Sequence, residues 1–392
     1  MSLPSLAELE NVDGARVLAR LDLNVPVRDG VILDDTRIVA ALPTLRWLTD
    51  RAGVVAACSH LGKAKGAPDP AYSLKPVATT LESALGRPVR FVPDCLDPSA
   101  ANAEEGSLLL LENLRFHPGE KANNPEFAAR LAEPYDHYVN DAFGTAHRAH
   151  ASVEAAARSY PQGRKAAGFL MEREVTALDR IVDDPEQPFV AVVGGAKVST
   201  KTAPLEALVG RVSSLLIGGG MANTFFLAQG LEVGRSLVEE EMLETARSVL
   251  VAAAERGIEF VLPSDVVVAD AIENPKRVDV VASNAIPTDM MVVDIGPEAR
   301  ARCREVLSLS RTVFWNGPMG VFEVADFAAG TLAVAEALAE SPAFTVVGGG
   351  ESVMAVRQAG VIGNIDHVST GGGASLQFIT GESLPAIAAL ES

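Results

Sequence analysis

The chain has 392 residues, 51 of them acidic and 33 basic, for a formal net charge of −18 at pH 7. That surplus repels nucleic acid and anionic membrane over most of the surface, so an anionic ligand must be held by a local cluster of positive groups. With 48 % hydrophobic and 21 % charged residues the composition is that of a soluble globular protein, and no apolar run reaches the roughly 18 residues of a membrane helix. The length exceeds what one core serves, which predicts two domains. The first ten residues include Glu8 and Glu10 and lack the basic start and apolar centre of a signal peptide, so a cytoplasmic protein is expected. Cys58, Cys95 and Cys303 are far apart and form no CxxC, which predicts buried, reduced thiols and neither a disulfide framework nor a zinc site.

In chain order, residues 16–26 begin as a strand and end with Asp22 and Asn24 at alternate positions, on one side of its C-terminal end. Arg37 falls at the start of the following helix. Residues 53–58 form a second strand, ending in His60 and a Gly-containing loop with Lys63 and Lys65. A helix over about 75–85 precedes a strand at 89–93. The apolar run 107–111 ends in Glu112, Asn113 and Arg115, and the strand from His137 ends in Asn140 and Asp141, followed by His147, Arg148 and His150. In an open parallel sheet the ligand crevice lies outside the carboxyl ends of the strands. Four strands thus deliver Asp22, Asn24, His60, Arg115 and Arg148 to one edge. A single Arg or His after a strand is ordinarily a cap or a solvated side chain; recurrence over four strands inside an acidic protein points instead to a small ligand carrying phosphate and carboxylate, which suit the guanidinium fork.

Residues 168–182 place Leu170, Val175, Leu178, Ile181 and Val182 at helical spacing, and the proline-containing stretch after them ends the helix. The β-branched run 189–193 then enters Gly194-Gly195-Ala-Lys197-Val-Ser-Thr-Lys201. Further apolar strands follow at 213–217, 260–262, 291–295, 312–316, 344–348 and 367–368, alternating with helices such as 239–255 and 328–339. Both halves read as α/β, two doubly wound parallel-sheet domains joined by an interdomain helix and hinge. Gly218-Gly219-Gly220, Gly348-Gly349-Gly350 and Gly371-Gly372-Gly373 follow strands. One such turn can be no more than a tight connection, but three of them, with Gly194 and Gly195, favour a nucleotide if they open helices. The dinucleotide fingerprint GxGxxG, the P-loop and the protein-kinase signatures are absent.

Taken together, Arg20-Leu-Asp-Leu-Asn-Val-Pro26, Ser59-His-Leu-Gly62, Leu111-Glu-Asn-Leu-Arg-Phe116, the run from Tyr138 to His150, Gly194-Gly-Ala-Lys-Val198, Ile217-Gly-Gly-Gly-Met221, Trp315-Asn-Gly-Pro-Met-Gly-Val-Phe-Glu323 and Val368-Ser-Thr-Gly-Gly-Gly-Ala374 resemble the blocks of the phosphoglycerate kinase family, in order and over essentially the whole chain. The resemblance implies a monomeric, hinge-bending enzyme that transfers a phosphoryl group between 1,3-bisphosphoglycerate and ADP, giving 3-phosphoglycerate and ATP, with Mg²⁺ as MgATP or MgADP. It implies an acid-binding domain over 1–168, an interdomain helix over 169–183, a nucleotide domain over 184–380 and a segment 381–392 returning to the first domain. Asp22, Asn24, Arg37, His60, Lys63, Arg115 and Arg148 would bind the three-carbon acid. Gly194, Gly195, Lys197, Lys201, Gly218, Gly219, Gly220, Asn316, Pro318, Glu323, Gly350, Glu351 and Ser352 would bind nucleotide. Arg37 and Lys201 would be catalytic, and the helix N-termini at Gly371, Gly372 and Gly373 would face the transferred group.

Two positions depart from the family pattern. Glu351 stands where Asp holds the Mg²⁺ of the nucleotide, and Lys63 where Arg follows His-Leu-Gly; both keep the charge, while the first adds a methylene at a geometrically strict ion and the second loses a bidentate fork. An NAD-dependent oxidoreductase is the rival from another class and lacks its fingerprint. A binding protein that keeps both ligand sites without turnover is the other rival, and rests on these two departures alone.

Overall fold

The computed structural model describes residues 3–392. The chain divides into two compact units, one running up to Thr176 and including Ser383–Ser392, the other spanning Ala177–Glu382. The sheet of the first unit has six strands in the order Arg90–Val92, Ser107–Leu111, Val54–Cys58, Arg16–Leu21, His137–Asp141, Lys165–Ala167, and every pairing is parallel. Val17, Leu18, Ala19 and Leu21 are all fully buried, as is Arg20 between them, so both faces of the central strand are covered and its sequence shows no polar–apolar alternation. The helix Thr36–Thr49 turns Ile38, Ala41, Leu45 and Leu48 inward, and Lys75–Leu85 does the same with Val77, Ala78 and Leu81 before Gly86 closes it at φ 68°. Because all six strands point the same way, their polar C-terminal residues emerge on one edge.

The helix Pro385–Glu391 belongs to this first unit and buries Ala386, Ile387, Ala389 and Leu390. Lys165, buried in the edge strand, donates from Nζ to the carbonyls of Ala389 (2.9 Å) and Ser392 (2.7 Å). An ammonium is favoured beside the free carbonyls at a helix C-terminus, so the contact holds the closing helix onto the strand Lys165–Ala167.

The helix Phe169–Val182 spans the point at which the two units divide. Its start is fixed from the first unit: Oδ1 of buried Asp141 accepts from the amides of Leu170 (2.8 Å) and Met171 (3.1 Å), and the Thr44 hydroxyl accepts from Phe169 N. A side chain on Gly168 would run into the Asp141 carboxylate. Burial pushes the Asp141 carboxyl up to about 6 from 3.8, against the opposing hydrogen bonds from Thr44, Met171 and Leu170. The folded state therefore binds more protons than the unfolded chain between about pH 4 and pH 6, and this group's contribution to stability is lost as pH rises through 6, by up to about 3 kcal/mol. Asp141→Asn should accordingly close its stability gap to the wild type between pH 5 and pH 7 in thermal unfolding; a gap independent of pH would show that Asp141 is ionised throughout.

The second unit repeats the architecture with strands ordered Glu259–Val261, Ser214–Ile217, Phe189–Val193, Thr312–Asn316, Phe344–Gly348, His367–Val368, again all parallel. Strand order reverses between Phe189–Val193 and Thr312–Asn316, which makes their C-terminal ends the switch point where doubly wound sheets bind ligands. The doubly wound reading holds for both units, with one correction. Met291–Ile295 is not in the parallel sheet; it joins Asp265–Ala269 and Val278–Ala282 in a separate antiparallel sheet. The strand Val278–Ala282 is largely exposed, so no buried face marks it in the sequence. Among the described residues no helix is long and apolar enough to cross a membrane.

Candidate active site

In the first unit the strand ends converge as their order requires. Asp22 is buried, and both of its carboxylate oxygens accept from Arg37 Nη1, at 3.0 and 2.9 Å. Arg37 lies in the first turn of the helix Thr36–Thr49, so the carboxylate fixes its guanidinium against the end of the central strand. Asn24 Oδ1 accepts from Gly62 N at 2.8 Å, and the Gly62 carbonyl accepts from Arg115 Nη1 at 2.6 Å; the loop after His60 is thereby pinned between two neighbouring strand ends. Gly62 has φ 60° and lies against the Tyr72 ring, which leaves no room for a side chain.

Arg115 is 5 % exposed, and its buried Nε and Nη2 have no hydrogen-bond partner. Unpaired guanidinium donors are costly, and these belong to a group whose basicity is lowered to about 10, first by burial and then by Arg148 and Arg20. His60 is buried among the same cations and held well below 6.5 by desolvation and by Arg20, Arg115, Arg148 and Arg37, in that order. It is neutral at pH 7. Four arginines acting on one histidine, with two donors of Arg115 that bond to no protein group, have the chemistry of an anion site. Arg148 is exposed, with Nε 3.3 Å from His147 Nε2, and Lys63 is exposed on the loop beside Gly62.

Three supporting residues were not singled out in the sequence. Arg20 is fully buried: its Nη2 lies 3.2 Å from His60 Nδ1, its Nε donates to Ser152 Oγ at 2.9 Å, and Nη1 donates to the Leu21 carbonyl. Ser152 Oγ in turn donates to buried Glu120 at 2.6 Å. Since a guanidinium can only donate, His60 Nδ1 is the acceptor and the ring proton sits on Nε2. Ser152 and Glu120 are far from Arg20 in the sequence, and neither ends a strand, so no local pattern revealed the chain of contacts.

In the second unit the reversal of strand order brings Gly194 and Asn316 together. Lys201 is mostly buried and donates from Nζ to the carbonyls of Gly194 (2.6 Å) and Asn316 (2.9 Å) and to Asn316 Oδ1 (2.8 Å). Burial lowers its pKa to about 8, with Glu351 acting the other way. The three oxygens it bonds are neutral, so the ammonium can still take a phosphate oxygen. Gly317 has φ 99°, and a Cβ there would lie 2.3 Å from the Gly194 carbonyl; at Gly219, φ 70°, it would lie 2.7 Å from Gly195 N. These glycines let the loops touch backbone to backbone. The amide of Gly195 donates to the Pro318 carbonyl at 2.9 Å, so Pro318 belongs to the same contact.

All three triple-Gly turns open helices: Gly220–Ala228, Gly350–Gln358 and Gly372–Ile379. Gly350 faces open space, whereas a Cβ at Gly372 would meet Gly349 Cα at 2.5 Å, so the second and third turns pack on each other. Asn316 Nδ2 lies 3.4 Å from the Gly372 carbonyl, which ties Lys201 to the start of that helix. Ser352 is buried and its Oγ accepts from Gly317 N at 2.6 Å; its side chain supports the turn. Lys197 is exposed. Between the two lysines, Ser199 is clamped by Glu239, whose carboxylate accepts from Ser199 N (3.0 Å) and Oγ (2.5 Å). Glu239 was likewise missed in the sequence, where it reads as one of several surface acids.

Glu351 sits in the first turn of the helix Gly350–Gln358. Its carboxyl is raised by burial and then by Glu323, and lowered only by Lys201. Its carboxylate oxygens are the donor type that a hard divalent cation such as Mg²⁺ takes.

A pair of doubly wound units, one gathering guanidinium groups at its strand edge and the other setting helix N-termini around a buried lysine, defines an α/β enzyme of the nucleotide-handling transferase class. A profile described as phosphoglycerate kinase matches residues 6–382. The chain is 50 % identical over 394 residues to the phosphoglycerate kinase of Moorella thermoacetica, covering 100 % of this chain and 99 % of that one, and 50 % identical over 393 residues to that of Rubrobacter xylanophilus, covering 100 % and 98 %. Among solved structures it superposes on phosphoglycerate kinase from Coxiella burnetii with a TM-score of 0.88 at 41 % identity, over 100 % and 99 % of the two chains, and on that from Pyrococcus horikoshii OT3 with a TM-score of 0.82 at 32 % identity, over 99 % and 98 %. The chain belongs to the phosphoglycerate kinase family and is on that footing a phosphotransferase.

Proposed function

We propose that this chain catalyses reversible phosphoryl transfer from 1,3-bisphosphoglycerate to ADP, giving 3-phosphoglycerate and ATP, as a cytoplasmic monomer. The observation that carries the reading is the pair of cationic sites, Arg115 with two donors that bond to no protein group and Lys201 among three neutral oxygens, in a chain of this family. Asp22, Asn24, Arg37, His60, Lys63, Arg115 and Arg148 would hold the acid. The nucleotide would lie over Gly194, Gly195 and Gly218 to Gly220, with Lys197, Lys201, Asn316, Pro318, Gly350 and Ser352 around its phosphates and Glu323 at the ribose. The segments 1–168, 184–380 and 381–392 keep the roles that the family assigns them, joined by the helix 169–183.

The acceptor in the ATP-consuming direction is a carboxylate, ionised at pH 7 with a pKa of about 3 to 4, so no general base is needed. What remains is positioning and charge neutralisation. His60, neutral with its proton on Nε2, donates to the acid and does not take a proton from it. Arg37, set by Asp22, and Lys201, set by Asn316, meet the charge that spreads over the transferred group, together with the helix N-termini at Gly371 to Gly373. Acid and nucleotide bind to different units, so transfer requires a conformer in which both ligands meet and water is excluded. Glu351 would hold Mg²⁺, whose charge neutralises the nucleotide phosphates.

The test is ATP consumption by the purified protein as a function of 3-phosphoglycerate, with and without Mg²⁺. Saturable turnover that needs both is expected; a folded protein that binds both ligands without turnover would favour the binding-protein reading, and Glu351→Asp would then ask whether the longer acid is the cause. Arg148→Ala, which removes an exposed arginine and no buried partner, should raise the KM for 3-phosphoglycerate about tenfold to hundredfold, as expected for one charge-assisted hydrogen bond, with kcat nearly unchanged in steady-state kinetics.

A further inference from the structure

Away from both ligand sites, two loops of the first unit bring together three groups of a different chemistry. Asp94 and Cys95 follow the strand Arg90–Val92, and His117 follows the 3-10 turn Leu114–Phe116 beyond the neighbouring strand Ser107–Leu111. One ligand atom from each of the three lies within 4.8 Å of the others. His117 Nε2 is 2.9 Å from Asp94 Oδ1, and Cys95 is 5 % exposed, closing the floor of the group. We propose that Asp94, Cys95 and His117 form a binding site for a late first-row divalent cation of the zinc and cobalt type, with a fourth position open to solvent.

Carboxylate oxygen, imidazole nitrogen and thiolate sulfur are the donors such ions select, and three protein ligands with an open position are a common zinc arrangement. Mg²⁺ is hard and avoids sulfur, so it neither fills this site nor competes for it. Around a tetrahedral zinc ion, bonds of about 2.0–2.3 Å set ligand atoms about 3.3–3.8 Å apart. The step from the present spacing, within 4.8 Å, to that of a bound ion is about 1 Å or more. Asp94 and His117 have 51 % and 29 % of their side chains exposed; Leu96 N donates to Asp94 Oδ1 at 2.9 Å and so orients that carboxylate, and His117 N donates to the Leu114 carbonyl at 3.1 Å. A cysteine thiol, with an ordinary pKa of about 8.5, is protonated at pH 7 before the ion arrives. Binding therefore forms a metal–sulfur bond, breaks the S–H bond and releases one proton to solvent. Cysteine spacing along the chain does not reveal this group, because its members come from loops after two neighbouring strands.

The segment around His117 also touches the loop that carries Lys63 and Lys65. Lys121, four residues after His117, donates from Nζ to the Ala64 carbonyl at 2.9 Å, and Gly66 N donates to the Arg115 carbonyl at 3.1 Å.

The experiment is a Co²⁺ titration of the whole reduced protein in excess Mg²⁺, read by absorption. The expected result is one equivalent bound, a sulfur-to-cobalt charge-transfer band, tetrahedral d–d bands and one proton released. Zn²⁺ should displace the colour. Cys95→Ser should abolish the charge-transfer band, and His117→Ala and Asp94→Asn should each weaken binding by at least about tenfold. All three variants should keep the far-ultraviolet circular dichroism of the wild type, and Cys58→Ala should keep the cobalt spectrum. Binding without the sulfur band, or equal affinity in His117→Ala, would overturn the proposal, and so would persistence of the band in Cys95→Ser.

Discussion

Lys201→Ala should lower kcat by about 10² to 10³-fold, the scale seen when one preorganised donor to a developing anion is removed, while the KM for ADP changes far less. The buried ammonium is held in place by Gly194 and Asn316 and so needs no reorganisation when charge develops on the transferred group. Substitution leaves three oxygens facing one another with no donor, and the loop has every reason to relax. Lys201→Arg keeps the charge but spreads it over a planar fork too wide for three converging carbonyls, and should recover only part of the rate. A pH signature follows from the same environment. Lys201 has a pKa near 8 and must be charged to act, so kcat/KM for nucleotide should fall above about pH 8 in the wild type. Its disappearance from the profile of Lys201→Arg would identify the group. A flat wild-type profile to pH 9 would remove Lys201 from the role given to it.

Arg37→Ala should also cost about 10² to 10³-fold in kcat, with a smaller effect on the KM for 3-phosphoglycerate. Both Asp22 oxygens sit on one guanidinium nitrogen, so the carboxylate acts as a clamp that orients the fork before the acid binds. Removing the arginine leaves Asp22, with only 1 % of its side chain exposed, as a buried anion stripped of this partner, and the fold will lose stability as well as rate. Asp22→Asn separates the two effects: it keeps the acceptor oxygen, spares the buried charge and loosens the clamp, so kcat should drop by less than in Arg37→Ala. A large rise in KM with turnover intact in Arg37→Ala would mean that the residue serves ground-state binding.

The legible part of the fold was the part made of buried parallel strands. Residues 108–111, 189–193 and 313–315 are uninterrupted apolar runs because both sheet faces are covered, and each ends at a C-terminal edge of polar residues or glycines. The same rule exposed Asp22, His60 and Arg115, since the edge of a parallel sheet is also where ligands bind. The antiparallel strand Val278–Ala282 was invisible for the opposite reason: its residues lie largely on a solvated surface, beside ion pairs of Arg277 with Asp279 and Asp289 that no periodicity encodes. Arg20 was read only as part of a family block, because a buried arginine reached through Ser152 to Glu120 depends on strand order and not on neighbours in the chain. Glu239 and the Asp94, Cys95 and His117 group share that property. The placement of residues 381–392 came from the family resemblance alone; the apolar face of Ala386, Ile387, Ala389 and Leu390 says that the segment is buried, but not against what.

The first unit is discontinuous in the chain, since Lys165 receives its carbonyl partners from Ala389 and Ser392. Translation proceeds from the N-terminus, so the ribosome delivers all of Ala177–Glu382 before the residues that complete the earlier unit. The later-encoded unit is thus the first whose sequence is whole, inverting the usual order in which domains become available to fold during synthesis. Until its closing helix arrives, the nascent first unit carries a lysine in its edge strand with no carbonyls to receive it and an uncovered apolar strip beside it. For that interval it is the half of the molecule most exposed to chaperones.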